Sequence, residues 1–190
     1  MILTWLVGFH GLTNGVGVAA FLRSGKVPDV QAMLERAGST MNVAQYQAVV
    51  ANLQLQALAA AHRITFPLAV AEILLSGLLV IASGLAMTGR RGARSLALQA
   101  LTANALLTVV SFFLTRRMWA GWLEEAIRIT LTLPTDMPER AAFIHMLPLR
   151  DKLQLVEVVL FGLGVFALTR GRAKRFFDVA ARMSDGTDAT

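Results

Sequence analysis

Ile64–Gly89 reads ITFPLAVAEILLSGLLVIASGLAMTG, and this stretch decides the fold class. It carries a single charged side chain, Glu72, in a run longer than the about 20 apolar helical residues that cross a bilayer core of ~30 Å. Three more runs share its character. Met1–Leu22 and Ser95–Thr115 hold no charged side chain; Leu153–Thr169 holds one, Glu157, and is the shortest. The expectation is an all-α integral membrane protein, one domain of four spans at positions 1–22, 64–89, 95–115 and 153–169. The first run lacks a basic leader and its apolar stretch is too long for a signal peptide, so it is read as a true span.

Composition agrees. Of 190 residues, 55% are hydrophobic and 16% charged, against about a quarter charged in soluble domains. Cysteine is absent, which excludes disulfides, thiolate metal sites and cysteine nucleophiles. The net charge of +6 belongs with basic residues at a cytoplasmic lipid surface, not with nucleic acid. Those residues set the orientation. Arg90, Arg91 and Arg94 crowd the short link between spans two and three, and Arg170, Arg172, Lys174, Arg175 and Arg182 crowd the tail. The other two links are longer and dilute their arginines and lysines with acids. By density, both termini are expected in the cytoplasm of a bacterial-type inner or plasma membrane.

The links 23–63 and 116–152 are then outer segments, expected to form a helical cap. Pro28 and Asp29 open a short helix bearing Val30, Met33, Leu34 and Ala37, closed by Gly38. Ser39, Thr40 or Asn42 can cap a second helix. That helix has the strongest pattern in the chain: Val43, Tyr46, Val50, Leu53, Ala57, Ala60 and Ile64 alternate by three and four, a heptad seam leading straight into span two. Met41–Ala61 carries no charge, so the seam either packs on the other outer segment or joins copies of the chain. In the second link Trp119, Trp122, Ala126 and Ile129 extend the stripe of span three, with the tryptophans read as interfacial anchors. Glu124 and Glu125 are spaced to pair with Arg128. Pro134 ends that helix, and Asp136 with Pro138 starts another bearing Phe143, Ile144 and Leu147, ending at Pro148. The tail 170–190 opens with Arg170, Arg172, Lys174 and Arg175, a lipid-anchoring set, followed by an apolar face of Phe176, Phe177, Val179, Ala180 and Met183.

Polar side chains within the spans need a reason, since an ionisable one at mid-membrane costs ~2.5–3.5 kcal/mol on insertion scales. The candidates are Glu72, His10, Asn14, Asn104 and Glu157, with Ser76, Thr108 and Ser111 behind them. Counted at about 1.5 Å per residue from the outer flanking charge, Asn14, Glu72 and Thr108 fall roughly 12–14 Å deep, and His10, Ser76 and Asn104 roughly 18–20 Å. Glu157 falls shallower, at about 7–8 Å. Such layers suit a buried hydrogen-bond network or a hydrated pathway. Glu72 needs a partner, with Arg63, Arg117, Arg150 or His10 in view; Lys152 or Arg150 could serve Glu157. Gly8, Gly11 and Gly15 let another helix approach span one closely, Gly162 and Gly164 thin span four, and Pro67 is expected to kink span two.

No zinc-protease, nucleophile-elbow or phosphate-loop motif is present. His10, His62 and His145 do not share a depth, which argues against haem; no cofactor is expected. Three functions stay open. The first is a non-enzymatic accessory or self-assembling subunit of a membrane complex, partnered by lipid and by itself or another membrane protein. The second is a small transporter or channel for protons, cations or an apolar molecule, using Glu72. The third is a membrane redox or lipid-substrate enzyme acting through His10 and Glu72.

Overall fold

A computed structural model describes residues 2–37, 41–88, 92–132, 149–171, 175, 177 and 179. Six helices account for the regular structure among them: α1 (Ile2–Ser24), α2 (Val30–Ala37), α3 (Val43–Ala60), α4 (His62–Met87), α5 (Ala93–Leu131) and α6 (Leu149–Thr169). Three are long and apolar enough to cross a membrane: α1, α4 and α5. In α6 the uninterrupted apolar part is the shorter Val156–Thr169. The helix expected around Phe143, Ile144 and Leu147, the Pro134 break, His145 and the Gly38 stop lie outside the described residues, as do Arg172 and Lys174.

The chain divides into two compact units. The first comprises Met1–Val18, Leu68–Ser111 and Leu155–Thr190. Its core is built from small residues: Ala82, Ala86, Ala93, Ala97 and Ala100 are buried beside Leu79, Leu101, Phe161 and Leu168. The glycines expected to admit a close helix do so, and the helix is α4 of the same chain. A Cβ on Gly8 would stand 3.2 Å from the Ser76 carbonyl and 3.3 Å from the Val80 amide; one on Gly15 would stand 3.1 Å from the Ala69 carbonyl. Backbones this near exclude any side chain between them. Gly164 on α6 instead makes room for the Leu101 and Thr4 side chains, and Gly162 faces open space. Polar ties complete the unit. Asn104 Nδ2 donates to the Leu75 and Ala100 carbonyls at 3.0 and 2.8 Å, joining α5 to α4. Arg94 Nε donates to the Leu168 carbonyl at 2.9 Å, satisfying one of the free carbonyls at the end of α6 where a cation also suits the helix dipole.

The second unit comprises Ala19–Pro67 and Phe112–Gln154. Its helices start where short polar side chains can accept free amides. Asp29 Oδ1 accepts from Ala32 at 3.0 Å ahead of α2. Of the three caps the sequence allows for α3, Asn42 is the one used: its Oδ1 accepts from the Gln45 amide, and Gln45 Oε1 accepts in return from the Asn42 amide, both at 2.9 Å. The core sets Tyr46, Val49 and Leu53 of α3 against Trp122, Ala126 and Ile129 of α5, with Val30 and Met41 beside them. The Tyr46 hydroxyl meets Thr130 Oγ1 at 2.6 Å inside this core.

Three expectations are corrected here. The seam of α3 is wider than the heptad: Val49 is 1% exposed, while Val50 and Ala57 are only partly buried and Ile64 is 41% exposed. At 3.6 residues per turn a strict three–four alternation drifts around the helix, and packing by α2 as well as α5 broadens the buried stripe. The seam also does not run straight into α4. Ala61 leaves helical geometry (φ −97°, ψ 22°), and Thr65 Oγ1 reaches back seven residues to the Leu58 carbonyl at 2.9 Å, a span it can close only across a bend. The helix is interrupted at Ala61. Pro67, expected to kink span two, lies inside α4. Trp122, finally, is a core residue at 8% exposure, packed edge-on to Trp119, and not a displayed anchor.

Candidate functional site

The polar side chains of the first unit are arranged by the glycines of α1. Gly11 leaves room where a Cβ would come within 2.5 Å of Ser76 Oγ and 3.7 Å of Glu72 Oε1. One turn on, Asn14 Nδ2 donates to Glu72 Oε1 at 3.1 Å. His10 and Glu157 stand within electrostatic reach of Glu72, and His10 within reach of Glu157. Four of the five candidates read from the sequence thus gather on α1, α4 and α6. Glu72 and Glu157 are partly buried; His10 and Asn14, one turn apart on α1, are exposed. Thr13, between them, turns its hydroxyl onto the His10 carbonyl at 2.8 Å.

Asn104 meets α4 at the Leu75 carbonyl, one residue from Ser76 of its counted layer; at 5% exposure its amide is occupied by the Leu75 and Ala100 carbonyls, so it ties helices together. The ion pair found among the described residues is Arg128 with Glu125, which share two hydrogen bonds on the surface of α5. The partner recorded for Glu72 is a neutral amide. Arg150 and Lys152 lie among residues whose side chains are not described. No group of three or more histidine, aspartate and glutamate side chains stands at metal-binding spacing among the described residues.

The sequence also missed two pairings. Ser83 Oγ donates to Thr4 Oγ1 at 3.3 Å in the first unit. Tyr46 meets Thr130 in the second. Both join residues far apart in sequence; Tyr46, the single tyrosine of the chain, belongs to the seam, but the pattern names no hydrogen-bond partner for it.

Of the seam residues, Tyr46 and Leu53 are buried in the core of the second unit, and Val43 and Val50 are partly buried. Of the lipid-anchoring set, Arg170 lies 4.7 Å over the Phe166 ring, Arg175 is exposed, and Phe177 packs on the first unit's core. The arrangement on α1, α4 and α6 sets two carboxyl groups and an imidazole within electrostatic reach of one another, with one hydrogen bond, Asn14 to Glu72, among them. The chain matches no family model, no curated protein and no solved structure.

Proposed function

We propose that the chain is a four-span membrane protein, with both termini cytoplasmic, that passes protons or monovalent cations through the group formed by Glu72, Asn14, His10 and Glu157. In support of a fourth span, the 21 residues of α6 amount to about 31 Å of helix. The 23–63 and 116–152 segments then form the outer helical cap. The observation that carries the function is the Asn14–Glu72 hydrogen bond, with a second carboxyl and an imidazole within electrostatic reach. A carboxyl group in hydrocarbon must pair with a cation or carry a proton, and an amide partner supplies neither. Two carboxyl groups and an imidazole can exchange one proton among them.

Purified protein in liposomes, loaded with a pH-sensitive dye and given a potassium-driven voltage, tests this. Wild type should dissipate a proton or sodium gradient, and Glu72→Gln should abolish the flux. Wild-type liposomes that leak no faster than empty ones overturn the reading.

A second reading is favoured by one observation: His10 and Asn14 are exposed on a helix read as a span. Hydrocarbon offers them no hydrogen bonds, so a second membrane helix, from a copy of this chain or another subunit, would cover them. This is the accessory or self-assembling subunit. The glycines and the α3 seam no longer support it, since both are occupied within the chain. Light scattering should then give a stable multiple of 20.5 kDa that His10→Leu with Asn14→Leu reduces to a monomer. A wild-type monomer, with no subunit retained from its native membrane, rules it out.

A further inference from the structure

Ser76 is buried on α4 at 4% exposure, and no hydrogen bond to its hydroxyl stands among those of the described residues. A buried hydroxyl without a partner is destabilising, and alanine would fill the same place without that cost. Its surroundings give a reason for it. A Cβ built on Gly11 would stand 2.5 Å from Ser76 Oγ and 3.7 Å from Glu72 Oε1, so both oxygens flank one gap between α1 and α4. Glu72 and Ser76 are four residues apart, which puts them on one face of α4. Asn14 reaches the same carboxylate oxygen through Nδ2, and its amide oxygen takes no part in that bond. The gap is held at a fixed width: on either side of Gly11, Gly8 and Gly15 bring α1 against the Ser76 and Ala69 carbonyls.

We propose that this gap binds a sodium ion, with the Glu72 carboxylate, the Ser76 hydroxyl and the Asn14 amide oxygen as its ligands. This rests on the reading of Glu72 as the ion-carrying group and narrows it to one ion. A proton on Glu72 needs one acceptor and has no use for a second oxygen one turn away, whereas a metal ion needs several. An all-oxygen set suits a hard cation. One carboxylate balances a single positive charge, and a divalent ion would leave a net charge in hydrocarbon. Glu157 and His10 stand at electrostatic reach and offset one another when both are charged. A gap fixed by backbone contact favours sodium over the larger potassium ion.

A hydrophobic carbodiimide couples to protonated carboxyl groups and leaves ionised ones alone. With the whole protein in detergent and sodium-free buffer it should label Glu72, read by mass spectrometry of the digested chain. Sodium chloride should slow that labelling several-fold at concentrations where potassium chloride has no effect, because a carboxylate holding sodium carries no proton. Ser76→Ala should label as fast as wild type and lose the sodium protection. Gly11→Ala should lose it too, since its methyl takes the hydroxyl's space and turns Ser76 away. Thermal unfolding checks both variants: sodium should raise the wild-type midpoint, and each variant should unfold cooperatively at a midpoint indifferent to sodium. Equal slowing by the two salts overturns the proposal, as does protection that survives Ser76→Ala or a Glu72 that never labels. Liposome flux separates the failures. Proton flux with no sodium protection overturns the sodium site alone, and protection without any flux keeps the site and overturns transport.

Discussion

The two units of this chain solve the packing problem with opposite materials. The first brings helices together through Gly8, Gly15 and a run of buried alanines, so backbone meets backbone. The second brings them together through Tyr46, Trp122, Val49, Leu53 and Ile129 around Ala126, so large side chains supply most of its core. The difference follows from the solvent each suits. In lipid, burying a leucine gains nothing over leaving it in hydrocarbon, so close contact and interhelical hydrogen bonds must supply the association. In water, burying large apolar surface is itself the driving force. Large apolar side chains are exposed in both units: Leu74 is 67% exposed and Leu106 61% in the first, Phe113 67% and Leu131 55% in the second. Residues 117–132 on α5 alternate between charged outer positions and a buried apolar stripe, as a helix facing water should.

The largest effect should come from emptying the core that depends on large side chains. Trp122→Ala should cost about 3–5 kcal/mol, as for other aromatic truncations in cores. Urea unfolding of detergent-solubilised protein, followed by the near-ultraviolet circular dichroism of the tryptophans, measures it. The midpoint should fall steeply while the bulk of the far-ultraviolet helix signal, held by the micelle, remains. If the helix signal and the aromatic signal disappear together at one unchanged midpoint, the two units are not built on different principles.

A paired substitution of glycine is the next test. Gly15→Leu drives a side chain into a Cβ position 3.0 Å from Ile73 Cγ1 and 3.1 Å from the Ala69 carbonyl. Overpacking of this kind costs typically about 1–3 kcal/mol. Gly121→Leu in the second unit enters open space and should gain up to about 1 kcal/mol from helix propensity. Thermal unfolding in the same detergent should therefore move in opposite directions for the two variants. Equal destabilisation would mean that close backbone approach is no special property of the first unit.

Much of this contrast was legible in the sequence, because it rests on composition at helical spacing. The apolar runs located α1, α4 and α5, the charge-free seam located α3, and the glycines at 8, 11 and 15 announced a close neighbour. What the sequence could not supply was the neighbour's identity. Nothing in Gly11 names Ser76, and nothing in Asn14 names Glu72 except an equal distance from a flanking arginine. That counting works where helices start level. It puts Thr4 and Ser83 near one depth as well, nineteen residues from Arg23 and twenty from Arg63, so their contact was within reach. The break at Ala61 was invisible for another reason. Alanine is the best helix former, and its departure is imposed by the packing around Leu58 and Thr65 and not by its own preference.

The smallest expected effect concerns how dry the second core is. Tyr46 is the chain's single tyrosine, so tyrosinate absorbance reports one site without mutagenesis. At 2% exposure, burial holds its phenol above the ordinary tyrosine value near 10. Thr130 Oγ1 donates to the Ala126 carbonyl at 2.7 Å and meets the phenol at 2.6 Å, a hydrogen bond that offsets part of the rise from burial. The folded state binds this proton more tightly than the unfolded chain. Its contribution to stability is therefore complete below the unfolded value near pH 10, and it is lost as pH climbs from there through the folded value. An alkaline titration should show tyrosinate forming only above pH 10, in step with loss of near-ultraviolet signal, because ionisation and opening of this core are one event. If the phenol ionised at or below 10 while the fold persisted, water would be reaching Tyr46. The second unit would then not be the dry aromatic core that sets it apart from the first.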